Sequence, residues 1–91
     1  MAVLRLARYR LTRVAYDSVA ATMRLHTEHP LGLIMHGVSE IDGELQVAQV
    51  WDSPDYAQRY EREILAPALE EHGVSPAESV AMIELDDLVT P

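Results

Sequence analysis

Apolar and polar positions alternate along this chain in two rhythms. Residues 2 to 9, Ala-Val-Leu-Arg-Leu-Ala-Arg-Tyr, form a short apolar-rich run without glycine or proline, as a strand requires. From Val14 the period lengthens. Tyr16, Val19, Ala20 and Met23 recur at i, i+3, i+4 and i+7, which predicts an amphipathic helix from Val14 to about His26. It should stop before Pro30, because the residue ahead of a proline avoids the helical region. Leu31 to Ser39 reads as a second strand and Glu44 to Trp51 as a third, joined by Asp42-Gly43, the dipeptide favoured in a type I′ hairpin. Ser53-Pro54 places an N-cap serine before a proline at the first helical position, with Asp55 suited to the positive helix end. The helix that follows carries Tyr56, Tyr60, Ile64 and Ala68 on one stripe and should end near Glu71, where His72-Gly73 supplies a stop. Val80 to Leu85 is the last strand, and residues 86 to 91 make a short acidic tail.

The order β-α-β-β-α-β over residues 1 to 91 predicts one α+β domain of ferredoxin-like type, a four-stranded antiparallel sheet with two helices on one face. The strands are not half polar. Leu33-Ile34-Met35, Val47-Ala48 and Val80-Ala81-Met82-Ile83 put apolar groups on both sides, as strands covered twice do. Two helices cover one face only, so a second copy of the sheet is the simplest cover for the other, and a homodimer through that face is expected. A lone domain of this length buries only about 60 to 65% of its unfolded surface, which favours such assembly.

A two-residue turn at Asp42-Gly43 pairs Ile41 with Glu44, His36 with Gln49, Val38 with Val47 and Ile34 with Trp51. Cross-strand partners share a face, so His36, Gln49 and Trp51 project together with Ile34 and Val38, while Leu33, Met35, Gly37, Ala48 and Val50 line the other side. A three-residue loop would separate His36 from Gln49 and Trp51. If the polar face lies under the helices, His36 is a candidate general acid or base, Gln49 can hold its tautomer or bind a carbonyl, and the Trp51 indole can stack on a flat substrate. Tyr56 or Tyr60 would be added from the second helix. The competing reading is a half-buried histidine bonded to a glutamine beside a core tryptophan. Arg5 and Arg8 lie on opposite faces of the first strand, so one of them, Arg5 in the expected site, can point inward and bind a carboxylate or enolate, with surface ion pairing as the plainer role.

Composition narrows the chemistry. The absence of cysteine removes disulfides, thiolate metal sites and a cysteine nucleophile, and the absence of lysine removes side-chain Schiff-base chemistry. No apolar run reaches the length needed to span a bilayer, and the N-terminus is too polar for a signal-peptide core, so neither membrane insertion nor export is expected and the cytoplasm is the simplest location. The net charge of −8 is uneven: five arginines face Asp17 in the first 26 residues, whereas Arg59 and Arg62 face fourteen acids in the remainder. Such a surface repels phosphate backbones, so nucleic acid is not an expected partner. His26 and His29 stand three apart, but no third metal ligand accompanies them and an ordinary helix end accounts for both. There is no P-loop, Gly-rich dinucleotide turn or Gly-x-Ser-x-Gly elbow.

The run Gly43 to Pro54, with Val50-Trp51-Asp52-Ser53 closing a strand ahead of a helix, followed by Tyr56, Tyr60 and Leu65-Ala66-Pro67-Ala68-Leu69, resembles the dimeric α/β-barrel superfamily, in particular small antibiotic biosynthesis monooxygenase-like proteins. The resemblance covers about residues 31 to 70 and, by element order, the whole chain. It implies a homodimer, a pocket between sheet and helices in each subunit, and cofactor-free chemistry on phenolic or polyketide-like substrates. Trp51 matches a pocket tryptophan of oxygenase members. Those members also use an asparagine, and this chain has none, which tells against oxygenation and leaves acid-base isomerisation, cyclisation and plain binding open. The expected ligand is a small apolar or aromatic molecule, and no cofactor is expected.

Overall fold

The computed structural model describes residues 1–25 and 27–90. β1 (Val3–Tyr9), β2 (Leu33–Ile41), β3 (Glu44–Trp51) and β4 (Ser79–Glu84) form one antiparallel sheet in the order β2-β3-β1-β4. This is the α+β ferredoxin-like arrangement expected from the element order. One helical layer lies on one side: α1 (Arg13–Met23), and a longer rod made of α2 (Pro54–Tyr60), a π-helical turn over Glu61–Leu65 and α3 (Ala66–Glu71). The backbone stays right-handed helical through both junctions of the rod. Within the wide turn the Ala66 N–H bonds five residues back, to the Glu61 carbonyl. The widening falls just before Pro67, which has no N–H to continue the ladder and whose ring crowds the carbonyl four residues before it.

α1 is shorter than its periodicity suggests. Thr12 caps it, its hydroxyl accepting from the Ala15 N–H at 3.1 Å, but the helix ends at Met23 instead of running to His26, which lies outside the described residues. Arg24 adopts the left-handed conformation (φ 57°), and the N–H groups of Arg24 and Leu25 bond back to Ala21 and Ala20. This is the pattern of a Schellman cap, which turns Leu25 into the core. A left-handed non-glycine residue costs about 1–2 kcal/mol, and a buried leucine returns about 1.5–3 kcal/mol, so the earlier stop is affordable.

The two-residue hairpin is present. Asp42 (φ 51°) and Gly43 (φ 80°) both have positive φ, as a type I′ turn demands, and Ile41 pairs with Glu44. From there the pairing runs without interruption to His36 opposite Gln49 and Met35 opposite Val50. It then shifts: Leu33, not Ile34, stands opposite Trp51, and Ile34 is the extra residue of a β-bulge. This corrects two sequence assignments. Leu33 belongs to the helix-covered face and packs on the core, whereas Ile34 is displaced and 38% exposed. The bulge sits on an edge strand, where a lost ladder bond meets water, and it exchanges one core side chain for another.

The helix-covered face holds Val3, Ala7 and Tyr9 of β1 and Leu45, Val47 and Trp51 of β3, packed against Tyr16, Val19, Ala20 and Met23 of α1 and Ala57, Tyr60, Leu65, Ala68 and Leu69 of the rod. Among the described residues, no helix is long and apolar enough to cross a membrane. The opposite face carries Leu6, Met35 and Ile83, all exposed, beside Leu4, Ala48 and Val50.

Gly32 ties the start of β2 to the rod. Its φ is +87°, and a Cβ added there would fall 2.3 Å from Cγ of Tyr56. Gly43 has a similar φ but nothing near its α-carbon. Gly32→Ala therefore combines strain and collision, and should cost more than the roughly 1–2 kcal/mol of backbone strain alone expected for Gly43→Ala. Urea unfolding of the two variants checks the order; equal losses would mean that the Tyr56 contact is slack.

Candidate functional site

The hairpin register lays a polar row across the middle of the helix-covered face. His36 of β2 is opposite Gln49 of β3, and Gln49 is opposite Arg5 of β1. With strands spaced about 4.8 Å apart, the row runs about 10 Å from His36 to Arg5. It lies beneath apolar helices, so each polar atom needs a partner.

One end of the row is a hydrogen-bonded chain whose directions follow from chemistry. The Trp51 indole N–H can only donate, and it donates to Oε1 of Gln49 at 3.2 Å. That orients the amide, so its Nε2 donates to Nδ1 of His36 at 3.1 Å. A neutral imidazole that accepts at Nδ1 carries its proton on Nε2, which lies 3.2 Å from the Tyr16 hydroxyl on α1. The two rings also stack, 15° from parallel with centroids 6.3 Å apart. Burial drives the Tyr16 hydroxyl far above its usual range, helped by the Tyr60 and Tyr9 hydroxyls nearby, so it stays protonated.

At the other end, Arg5 is 1% exposed. Its Nη2 donates to Oε1 of Glu61, on the π-helical turn, at 2.8 Å, while Nε and Nη1 have no hydrogen-bond partner among the described residues. Arg5, Tyr9 and Glu61 line a cavity of about 470 Å³ whose remaining wall is mainly apolar, including Leu65, Leu69, Val74, Ala77 and Val80. The cavity exists because the rod covers β1 but stops short of β4, whose residues are all exposed. Burial pushes the Tyr9 hydroxyl up from its ordinary value, and the Arg5 guanidinium works against that rise.

The structure thus divides the residues singled out in the sequence. Arg5 lies on the helix-covered side, which β1's two apolar faces left undecided, and lines the cavity of about 470 Å³. His36 and Ile34 line a smaller one of about 260 Å³ with Leu25, His29, Leu33 and Met35. Gln49, 1% exposed, bridges the two ends. Trp51 is fully buried, its ring tilted 41° against Tyr60 at 5.0 Å, and the Tyr60 hydroxyl donates to Sδ of Met23. Tyr56 covers Gly32 and lines neither cavity. Sequence reasoning missed Glu61 and Tyr16 as site partners. Tyr16 reads as ordinary core by its spacing. Glu61 stands one turn after the buried Ala57 and one before the buried Leu65, a place for an acid that makes sense only with an inward arginine. No group of three or more His, Cys, Asp or Glu side chains suited to a metal occurs among the described residues.

Two measurements follow. Burial raises Tyr60 from its ordinary 10 to about 12, and raises Tyr9 and Tyr16 as well. A tyrosine whose pKa is higher folded than unfolded favours the native state fully below the unfolded value, and that contribution disappears as pH rises through the folded one. Stability should therefore decline between about pH 10 and 12, with tyrosinate absorbance at 295 nm developing together with loss of near-UV ellipticity; native-state ionisation of these three rings near pH 10 would contradict their burial. Second, a buried cation with two unspent donors is a burden on the fold. Arg5→Met should keep or raise the melting temperature in calorimetry, because the partner left behind, Glu61, is 45% exposed and can turn to water instead of standing as a buried unpaired charge. A large fall would show Arg5 to be structural.

No protein-family model matches the sequence, and no curated protein sequence matches it. Solved structures do. The Rv0793 protein of Mycobacterium tuberculosis superposes with a TM-score of 0.73 at 17% identity, over 99% of this chain and 100% of that one. SnoaB of Streptomyces nogalater, a cofactor-independent oxygenase, gives 0.70 at 14% identity, over 99% and 98%. A candidate antibiotic biosynthesis monooxygenase from Deinococcus radiodurans gives 0.65 at 14% identity, over 100% and 98%. At these identities the likeness is one of fold, and the fold is that of antibiotic biosynthesis monooxygenase-like proteins over nearly the whole chain.

Proposed function

We propose that this protein is a cofactor-independent enzyme that acts on a small aromatic or polyketide-like substrate by acid–base chemistry, as a cyclase, isomerase or monooxygenase. The observation that carries the reading is the cavity of about 470 Å³ between rod and sheet: an apolar wall with a few polar groups at one corner is the usual form of a small-molecule site. The fold shared with SnoaB supports the class of chemistry. The substrate lies over β1 with an oxygen toward Arg5, which would hold negative charge as it develops there. The candidate proton carrier in this reading is His36, kept in one tautomer by Gln49, which lines the smaller cavity at the other end of the row, with Trp51 and Tyr60 as the rigid backing that holds Gln49 in place.

A second reading, a non-catalytic binding or regulatory module using the same pocket, is favoured by one feature: both ring nitrogens of His36 are engaged, by Gln49 and by Tyr16. Incubation with a panel of one- to three-ring phenols in air, followed by mass spectrometry, separates the two. An enzyme should convert at least one compound, and His36→Ala should lower that turnover by about 10²- to 10⁴-fold with the circular dichroism spectrum unchanged. Undiminished turnover removes His36 from the mechanism. A phenol that raises the melting temperature and is recovered intact supports the module.

The working unit in this proposal is a homodimer packed through the open sheet face. Leu6, Met35 and Ile83 are 37%, 60% and 46% exposed there, flanked by Leu4, Ala48 and Val50, so the patch is a continuous apolar surface across all four strands. Sedimentation at micromolar concentration should give twice the chain mass, and Leu6→Glu should give a folded monomer. A compact monomer of the unaltered chain would sink the dimer.

A further inference from the structure

We infer that the Arg5 cavity is a site for an organic monoanion with a flat apolar body, and that Glu61 is the resident counter-ion which the ligand replaces. The inference rests on reading this cavity as the substrate pocket and names what the pocket selects. Among the described residues, Arg5 is the only basic side chain on its wall. The guanidinium is taken out of water, yet spends one nitrogen on Glu61 and leaves Nε and Nη1 without partners among the described residues. Buried donors on a cation are costly when unmet, and an oxygen anion is the group that meets them best.

Glu61 is placed to give way. Its side chain is 45% exposed, so it can turn to solvent at little cost, and it is carried on the π-helical turn rather than in the tighter α-helical segments on either side. A ligand carboxylate, phenolate or enolate that takes its position keeps the charge on Arg5 neutralised while burying its own hydrocarbon against Leu65, Leu69, Val74 and Val80. Tyr9 lines the same wall with its hydroxyl oxygen turned to the Arg5 guanidinium, and its proton, kept on by burial, is there to be donated to the same anion. The surrounding field does not help: the chain carries a net charge of −8 and Glu70 stands on the cavity wall, so selection of an anion depends on the dry contact with Arg5 and Tyr9.

Titration calorimetry with 2-naphthoate and its neutral counterpart 2-naphthylmethanol tests this on the whole chain at neutral pH. The unaltered protein should bind the acid about tenfold to a hundredfold more tightly than the alcohol, the worth of a charged hydrogen bond. Arg5→Met, checked for folding by its melting temperature, should erase that preference while still binding the alcohol. Glu61→Gln should bind the acid more tightly than the unaltered protein does, because a competing carboxylate is gone. Equal affinity for acid and alcohol in the unaltered protein, or a preference that survives Arg5→Met, overturns the anion site and leaves the apolar pocket standing. Acid binding weakened by Glu61→Gln overturns the role given to Glu61. If neither compound binds at millimolar concentration, the pocket reading itself falls, and the inference with it.

Discussion

The register of β2 on β3 is set by two residues that both turn with positive φ, Asp42 and Gly43, and the interior chemistry of this protein depends on it. Side chains on a strand alternate with a period of two, so one extra residue in the loop would send His36 to the open face and leave Gln49 beneath the helices without it. With the short turn, His36, Gln49 and Arg5 fall on one cross-strand row. The row is a polar seam through a face otherwise built of valine, alanine, leucine and aromatic rings. Each group in it constrains the next: an indole that can only donate orients an amide, and the amide fixes which nitrogen of the imidazole bears the proton. The row is satisfied at its histidine end and unsatisfied at its arginine end. That asymmetry, more than the identity of any single residue, is what marks the arginine end as the candidate binding site.

Much of the fold was legible in the sequence because its signals are local and redundant. The i, i+3, i+4, i+7 spacing of Tyr16 to Met23, the Asp42-Gly43 dipeptide and Ser53-Pro54 each act within a few residues, and each marks an element that is present. Ser53 does occupy the N-cap with extended backbone, though its side chain makes no capping bond, so Pro54 and Asp55 carry that boundary. Where two local signals competed, tertiary contact decided. Pro30 limits α1 only from a distance, and it is the burial of Leu25 that turns the chain at Arg24. The β2 bulge is of the same kind: Leu33, Ile34 and Met35 are interchangeable by pattern, and only the core beside Trp51 distinguishes the first from the second.

The candidate site was half legible. The pairing of His36 with Gln49 followed from the turn, and Trp51 does meet them, but as their fixed support and not as an exposed stacking platform. The face of Arg5 was undetermined because Val3, Leu4, Leu6 and Ala7 make β1 apolar on both sides, so alternation carries no information there. Glu61 was hidden by the π-helical turn. The expected stripe Tyr56, Tyr60, Ile64, Ala68 keeps a spacing of four, whereas the buried set shifts to Leu65 and Leu69 once the turn has widened. A helix with one extra residue in a turn presents different side chains before and after it, and a strictly periodic reading cannot see where the phase changes.

The same incompleteness of cover accounts for both the cavity and the open face. The helical layer is narrower than the sheet, so β4 is left outside it: Val80 and Met82 on its inner side are 44% and 42% exposed, and Ile83 on its outer side 46%. β4 is held by its ladder to β1 and by little else. One surface of this strand therefore floors the cavity beside Arg5, and the other belongs to the apolar patch available to a second copy. A ligand bound beside Arg5 and a second copy packed on the sheet would therefore both bear on this one strand.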